Sequence, residues 1–583
     1  MTSESGSRSL RLRALVLHRS SFILALILIT SFVMKLPNLG HRAIKPLDEV
    51  FHAIVAANLL KHPLKPTLND RQYLQIDYHL WQNTHIWLHK PPMAMWQIAA
   101  SYALLGVNTL ALRLPSAILA TLAVWLTYLI GKELIDQTAG LIAAALQAFN
   151  APIAMLVHGN VFSDHIDIAL LFWVEVAIWL LIRAVRSGRQ RDWVLCGIAQ
   201  GLAFLSKTYP ALIVTVVAIV ALVLNRRRVP GRRMVNLLLG TIAVVAPWTL
   251  WCLFNWKDQF LYENLHALRH LSSDVEGWAA PWDRLVFDFW IRIFHVYYPA
   301  VLVAGIVVMI RAWRLGDWRL GVLAAWGIGV LVPHLLATSK TMTATLIGWP
   351  AMWIMLGYLI SQAIGGCGMS AGAWAAAMVL PLVFLSADDI PMQGWGYPES
   401  GGFGAIMLEH VWVVWMVLAS LVAGVIVAML RRRWIGQMLC IVAAGAMLVL
   451  AVRWWDDGRP RGYAYLAWRV KEVGKDRPSF VAIGRFARTL PPNAAFMVDE
   501  QTKLENKLIQ FVADRTCYPL PEMRWQEMGS AIIEGGGLPY LITDKAVDLP
   551  VVFVDDQEGR KVYACTPAAR SAAEHGGGVL LPQ

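Results

Sequence analysis

The chain encodes a polytopic α-helical membrane protein with a small α/β domain at its C-terminal end. Three observations predict this. Of 583 residues, 57% are hydrophobic and only 15% are charged, where soluble domains carry roughly 25% charged residues. Apolar runs approaching the ~20 residues needed to span a bilayer recur from position 21 to 452. After 453 the composition returns to that of ordinary soluble protein, with alternating strand-like and helix-like segments.

The apolar runs lie near 21–36, 112–131, 138–157, 167–184, 193–206, 209–225, 234–254, 297–312, 319–338, 345–364, 371–387, 411–430 and 434–452, which makes about 13 transmembrane helices. The first follows a basic tail (Arg8, Arg11, Arg13, Arg19 within 1–20) and is followed by no small-residue cleavage pattern, so it is expected to stay as an anchor. A further run, 93–105, is apolar enough to cross, and charge decides its placement. If it lies along the interface, the Arg clusters at 183–192, 226–233, 311–318 and 431–433 all fall on the side of the N-terminal tail. This is the cytoplasmic side by the positive-inside rule. If it crossed, all of them would flip. The expected domains are therefore a cytoplasmic tail (1–20), a membrane domain (21–452) and an extracytoplasmic α/β domain (453–583). Within the membrane domain lie an outward first loop (37–92), an interfacial helix (93–105) and an outward loop (255–296). The net charge of +12 is spent on orientation in short loops, so nucleic acid is not an expected partner.

The strand-like runs of the tail are 495–498, 540–543, 551–554 and 562–565, and the helix-like runs are 502–512 and 524–534. Cys517 and Cys565 both fall here, and a disulfide between them is open on sequence alone.

This topology places Asp48, Glu49, His89, Lys90, Asp164, Asp167, Lys207, Arg269 and Lys340 at the same end of their helices. Ionisable groups at a bilayer boundary are costly unless paired or used. A carboxylate accepts a proton from an attacking hydroxyl or holds a metal. Lys and Arg suit phosphate, Lys as a point charge and Arg as a bidentate fork. The collection fits a site that holds an anionic lipid head and activates a nucleophile.

Asp48-Glu49-Val-Phe-His52, His89-Lys-Pro-Pro92, Gly201-Leu-Ala-Phe-Leu-Ser-Lys207 and Ser339-Lys340 resemble, in order and sidedness, the GT-C family of polyprenyl-phosphate-sugar glycosyltransferases. The bacterial aminoarabinose lipid A transferase branch, related to protein O-mannosyltransferases, matches best. The motif likeness covers about 40–350. It implies a GT-C fold and transfer of a sugar, usually with inversion, from a polyprenyl-phosphate donor to a lipid or protein acceptor. The reaction would take place at the outer side of the cell inner (cytoplasmic) membrane. Lipid A, another envelope glycan and a protein hydroxyl all remain open as acceptors.

The resemblance also implies roles. Asp48 would be the base or acceptor-positioning group, with Asp167 and Glu49 assisting. Lys90, Lys207, Arg269 and Lys340 would bind donor phosphate, and His89, Asp164 and His52 are secondary candidates. Family members carry an Asp about five residues before a Phe in the next span, and Phe172 makes Asp167 a better match than Asp164. Each residue also has a plainer reading: Asp48, Asp164 and Asp167 as helix caps, Glu49 as a first-turn acid, Lys90 as a snorkelling anchor and Arg269 as a solvated loop residue. The chain departs from the family's pattern at Phe51-His52, where Arg-Tyr is common, and at Ala344, where an aromatic is common.

Six histidines (His41, His52, His62, His79, His85, His89) lie in 37–92. With the two acids they admit a divalent metal, although no tight His-x-x-His spacing is present; no other cofactor is expected. No phosphate-binding or dinucleotide-binding Gly motif occurs. The rival reading is a non-catalytic transporter or flippase of lipids or small molecules. It predicts internal repeats and midplane acids; here no repeat is visible and the acids singled out above cluster at one face.

Overall fold

A computed structural model describes residues 20–37, 39–40, 44–45, 48–159, 164–273, 298–338, 345–367, 370–374, 478–499, 505–520 and 524–575, with a few further positions between 392 and 438. The expected spans at 371–387, 411–430 and 434–452 fall largely outside the described residues, as does Lys340.

The chain enters through α1 (Ser20–Val33). Two short helices follow: α2 (Asp48–Leu59) and α3 (Met93–Leu105). At about 1.5 Å per residue α3 is roughly 20 Å long, short of a hydrocarbon core. Then comes α4 (Thr109–Leu134), begun by Asn108, whose side chain accepts from Ala111 N at 2.9 Å. Next are α5 (Gln137–Ala148), α6 (Ala151–Val157), α7 (Asp164–Ser187), α8 (Gln190–Lys207), α9 (Ile213–Leu224) and α10 (Arg233–Arg269). After these come α11 (Tyr298–Leu315), α12 (Trp318–Leu336) and α13 (Trp349–Ile364).

Among the described residues four helices are long and apolar enough to cross a membrane: Thr109–Leu134, Asp164–Ser187, Arg233–Arg269 and Leu346–Ile364. The run expected to cross as one piece at 138–157 is instead two helices. Asn150 interrupts it, capping α6 by accepting from Ile153 N, with Pro152 in the first turn. The run at 234–254 extends further than its apolar stretch. α10 continues to Arg269 across a kink at Trp256 (φ −145°, ψ 47°), so the first part of the expected loop 255–296 is helical. That extension carries Glu263, His266 and Arg269.

Helices α8 and α10 meet through glycines. A Cβ on Gly197 would run into Leu237 O, and one on Gly240 into Val194 O. Small residues at such crossings let backbones approach closely, which is where helix association in lipid draws its packing energy. A polar clasp joins α4, α5 and α7: Thr127 Oγ1 lies 2.6 Å from Gln147 Oε1 and 2.7 Å from Glu175 Oε2, and Gln147 Nε2 donates to Glu175 Oε1 at 2.8 Å.

The C-terminal domain is α/β, as expected. It runs α14 (Pro478–Thr489), β1 (Ala494–Val498), α15 (Glu505–Ala513), β2 (Thr516–Pro519), α16 (Trp525–Glu534), β3 (Leu538–Thr543), β4 (Val551–Val554), β5 (Lys561–Ala564) and α17 (Pro567–His575). Its five-stranded sheet has the order β2-β1-β3-β5-β4. β1 is parallel to β2 and β3, and β5 is antiparallel to β3 and β4. Cys517 and Cys565 are thiols, so no disulfide links them.

This domain grips the first loop. Gln510 Nε2 donates to Leu68 O (2.6 Å) and Asn69 Oδ1 (3.1 Å), Thr516 Oγ1 donates to Arg71 O (2.8 Å), and Tyr73 N donates to Tyr518 Oη (3.0 Å). One apolar cluster runs from Val50, Phe51 and Met95 of α2 and α3 to Phe480 and Ile509 of the domain.

Gly197→Val is expected to force α8 and α10 apart and cost about 1–3 kcal/mol, as overpacking does. Thermal unfolding of the detergent-solubilised protein should show the lowered midpoint, and an unchanged midpoint would refute the close crossing.

Candidate active site

The site is built where α2, the first loop, α7, α8 and the outer part of α10 meet. Asp48 opens α2 and is partly exposed, and Glu49 turns inward and is 1% exposed. Arg113, one turn into α4, meets Glu49 with two parallel bonds: Nε to Oε1 at 2.6 Å and Nη2 to Oε2 at 2.9 Å. Lys45 N donates to Glu49 Oε2 at 2.8 Å, and Arg113 Nη1 donates to Leu39 O at 3.3 Å. Burial pushes the Glu49 carboxyl up, but the Arg113 charge and hydrogen bonds override it and hold the group at about 2.

Beside this pair lies a second buried network. His52 Nδ1 is 2.7 Å from Asp164 Oδ1, and His165 Nδ1 is 2.7 Å from Ser116 Oγ. His165 Nε2 stands 3.7 Å from Glu49 Oε1 and 4.0 Å from Asp164 Oδ1. Asp164 opens α7 and its Oδ1 also accepts from His165 N at 2.6 Å. Asp167, one turn further on, points elsewhere and takes Lys207 Nζ at 2.5 Å. The two acids of this segment thus face different partners.

The outer layer is formed by His89-Lys90, the end of α8 and the outer part of α10. His89 Nδ1 is 3.0 Å from Glu263 Oε2, and its ring lies flat on Trp81, centroids 4.2 Å apart. Burial, then the neighbouring Lys90 charge, holds His89 well below the usual histidine range; Asp48 acts in the opposite sense and is outweighed. His270, just past α10, is held at about 4, by burial first and then by Lys90, His266 and Lys207 around it. Arg269 sits over the Tyr262 ring, 5.9 Å from its centroid.

The structure therefore brings Lys90, Lys207, Asp167, His89 and Asp48 to one region and places Arg269 at the end of the same α10 extension. Glu49, His52 and Asp164 lie in the buried layer beneath. Lys340 lies outside the described residues. Sequence reading missed Arg113, His165 and Glu263. Arg113 had a signal, a lone cation inside the apolar run 112–131. Glu263 and His165 had none, because their significance is entirely in what they face.

A divalent cation would find ligand atoms of Glu49, Asp164 and His165 within 4.8 Å of one another. Both Glu49 oxygens, however, already meet the Arg113 guanidinium. That leaves Asp164 Oδ2 and His165 Nε2 as the buried atoms lacking a hydrogen bond. Two donors beside a fixed guanidinium do not fit a divalent centre, which draws on several anionic oxygens or nitrogens, and no chemical step is routed through one.

A family model described as dolichyl-phosphate-mannose-protein mannosyltransferase matches residues 89–251, the stretch holding Lys90, Asp164, Asp167 and Lys207. The undecaprenyl phosphate-α-4-amino-4-deoxy-L-arabinose arabinosyl transferase 1 of Pseudomonas fluorescens (strain Pf0-1) is 27% identical over 287 residues, covering 45% of this chain and 49% of that protein. The enzyme of the same name from Pseudomonas aeruginosa (strain UCBPP-PA14) is 28% identical over 236 residues, covering 37% and 41%. The chain thus spans half or less of the length of these curated relatives. The crystal structure of ArnT from Cupriavidus metallidurans bound to undecaprenyl phosphate superposes with a TM-score of 0.58 at 16% identity, over 94% of this chain and 98% of that one. The chain shares that fold, and the resemblance read from its motifs is borne out.

Two outcomes are expected of the Glu49–Arg113 pair. Arg113→Ala should strand a buried carboxylate and cost about 3–5 kcal/mol, whereas Glu49→Leu/Arg113→Met should recover most of it, read by thermal unfolding. A carboxyl held at about 2 against an ordinary 4.5 contributes about 3 kcal/mol at neutral pH. The depressed group stabilises above pH 4.5, and that contribution should vanish as pH falls from 4.5 towards 2. A titration of stability in the double variant should lack that component.

Proposed function

We propose that this protein transfers a sugar from a polyprenyl-phosphate donor to an acceptor hydroxyl or phosphate at the outer face of the cell inner membrane. Lipid A, an envelope glycan or a protein would supply the acceptor. The observation that carries this reading is the meeting of Asp48, His89-Lys90, the Lys207–Asp167 pair and the outer end of α10, although they come from segments as far apart as Asp48 and Arg269. The shared fold and the family-model match lend it chemical context.

In this reading the N-terminus (1–20) is cytoplasmic and the membrane domain extends over 21–452 with about thirteen crossings. α3 lies along the interface, and the tail domain (453–583) is extracytoplasmic. The placement of Arg clusters supports this sidedness. Asp48, at the start of α2 and partly exposed, takes the proton from the acceptor oxygen or orients it. That oxygen attacks the anomeric carbon from the face opposite the phosphate, inverting it, and the donor's C–O bond breaks with its electron pair leaving on polyprenyl phosphate.

Lys90, Lys207, Arg269 and Lys340 neutralise that leaving group. Cations fixed in a low-dielectric setting are effective here because they need no reorganisation as charge develops. Lys207 starts paired with Asp167, so phosphate arrival exchanges one anion for another, and Asp167 keeps the lysine oriented until then. Glu49 assists by anchoring α2, and Asp164 with His52 supports the same wall. The reaction draws on these side chains without a metal step.

The test uses the full-length protein in proteoliposomes with labelled undecaprenyl-phosphate 4-amino-4-deoxy-L-arabinose and lipid A. Release of undecaprenyl phosphate with labelling of the acceptor is expected. Asp48→Asn should lower turnover by about 100-fold or more, the scale of general acid–base catalysis, with donor binding retained. Lys90→Ala should mainly raise the donor KM. Labelled lipid crossing the bilayer with no bond cleaved would instead establish a transporter, and cysteine labelling that placed position 48 in the cytosol would overturn the topology.

A further inference from the structure

His89 is held in a way that the motif alone does not reveal. Its Nδ1 lies 3.0 Å from Glu263 Oε2, and the two side chains are 7% and 3% exposed. Trp81 covers one ring face at an interplanar angle of 5°, and Trp87 packs edge-on with centroids 5.9 Å apart. The ring cannot swivel without breaking both the stack and the hydrogen bond.

Burial pushes the Glu263 carboxyl up to about 7; once ionised it only accepts, and in that form it fixes the proton on Nδ1 and leaves Nε2 with its lone pair. Among the described residues that nitrogen makes no hydrogen bond, and Glu263 Oε1 is buried without one as well. The charged and titratable groups facing the ring come from three places: Asp48 of α2, Lys90 of the loop, and Glu263, His266 and His270 on or beside α10. Burial and Lys90 keep the resting ring neutral, and Asp48, joined by Glu263 in its ionised form, favours a proton on it. A buried carboxylate behind an imidazole sets its tautomer and stabilises the imidazolium once formed.

We infer that Glu263 is a positioning residue that holds His89 as a proton acceptor, and that the proton Asp48 takes from the acceptor hydroxyl passes on to His89 Nε2. This rests on the glycosyl-transfer reading above. The acceptor oxygen bonds to the anomeric carbon, and the bond from that carbon to phosphate oxygen breaks with its electrons leaving on polyprenyl phosphate. The displaced proton moves from the acceptor to Asp48 and then to His89, and solvent removes it before the next turnover. The relay returns Asp48 to its anionic form without releasing a proton beside the leaving phosphate. Because Asp48 and His89 sit on separate elements, the loop bearing His89-Lys90 joins phosphate binding and proton removal in two adjacent residues.

The experiment uses the full chain in proteoliposomes with the same donor and lipid A, over a range of pH, alongside direct binding of undecaprenyl phosphate. His89→Gln should lower kcat about 100-fold, the lower end of general acid–base contributions, and leave donor KM and undecaprenyl phosphate binding within about twofold. Glu263→Gln should lower kcat about tenfold, equivalent to one pKa unit. It should also shift the acid limb of the profile to lower pH, because the ring loses the charge that stabilises its protonated form. Unchanged kcat in His89→Gln, or an acid limb unmoved by Glu263→Gln, overturns the relay. A second measurement is independent of turnover. Imidazole 15N spectra should show the Nδ1–H tautomer of His89 in the unaltered protein and its loss in Glu263→Ala, and identical spectra overturn the positioning role. Should the unaltered protein transfer no sugar, the glycosyl-transfer reading fails by itself, and the spectra still decide whether Glu263 orients His89.

Discussion

The bond between Glu49 and Arg113 underlies the rest of the site. It joins α2, a short helix at the membrane face, to the first turns of α4, which is packed into the bundle. Both groups are withdrawn from water, so each is costly without the other and neither can be released cheaply. Lys45 N and Leu39 O complete the arrangement by tying in the strand of chain that enters α2. The pair fixes how α2 is rotated. Because Glu49 must point inward, its neighbour Asp48 is left at the rim. The orientation of Asp48 is thus set by a structural contact one residue away.

The site has two layers with different electrostatic characters. The inner layer, Glu49, Arg113, Asp164, His165 and His52, is buried and, apart from Asp164 Oδ2 and His165 Nε2, joined by hydrogen bonds. The outer layer gathers Lys90, Lys207, Arg269, His266 and His270 with Asp48, Asp167 and Glu263, and burial first, then the neighbouring cations, holds His89 and His270 low.

Much of this was legible in the chain because its signals are local. Apolar length marked the helices, and alternation marked the strands β1, β3, β4 and β5. The approach of Lys90 and Lys207 followed from placing each at the same end of its helix. What escaped notice depended on geometry without a local signal. Strand β2 (Thr516–Pro519) is short and Pro-ended, and its identity comes from pairing with β1. The split at Asn150 rests on a cap whose effect outweighs apolar periodicity, and the extension of α10 past Trp256 runs through a mixed polar segment that carries no apolar run to mark it. Glu263, an unremarkable glutamate in sequence, acquires meaning only opposite His89. Asp164 and Asp167, three residues apart, were natural alternatives for one role, and a helix turn sends them to different neighbours.

The hold of the tail domain on the first loop bears on how the protein is made. Leu68 and its partner Gln510 are 442 residues apart. At the usual pace of synthesis roughly 20 to 90 s separate their emergence. During that interval the early helices sit in the bilayer with the segment 66–74 lacking its final support, so the outer wall of the site is completed last. Chains cut short before β2 would lack the partners of Leu68, Arg71 and Tyr73 and leave this wall an open, unsupported ledge.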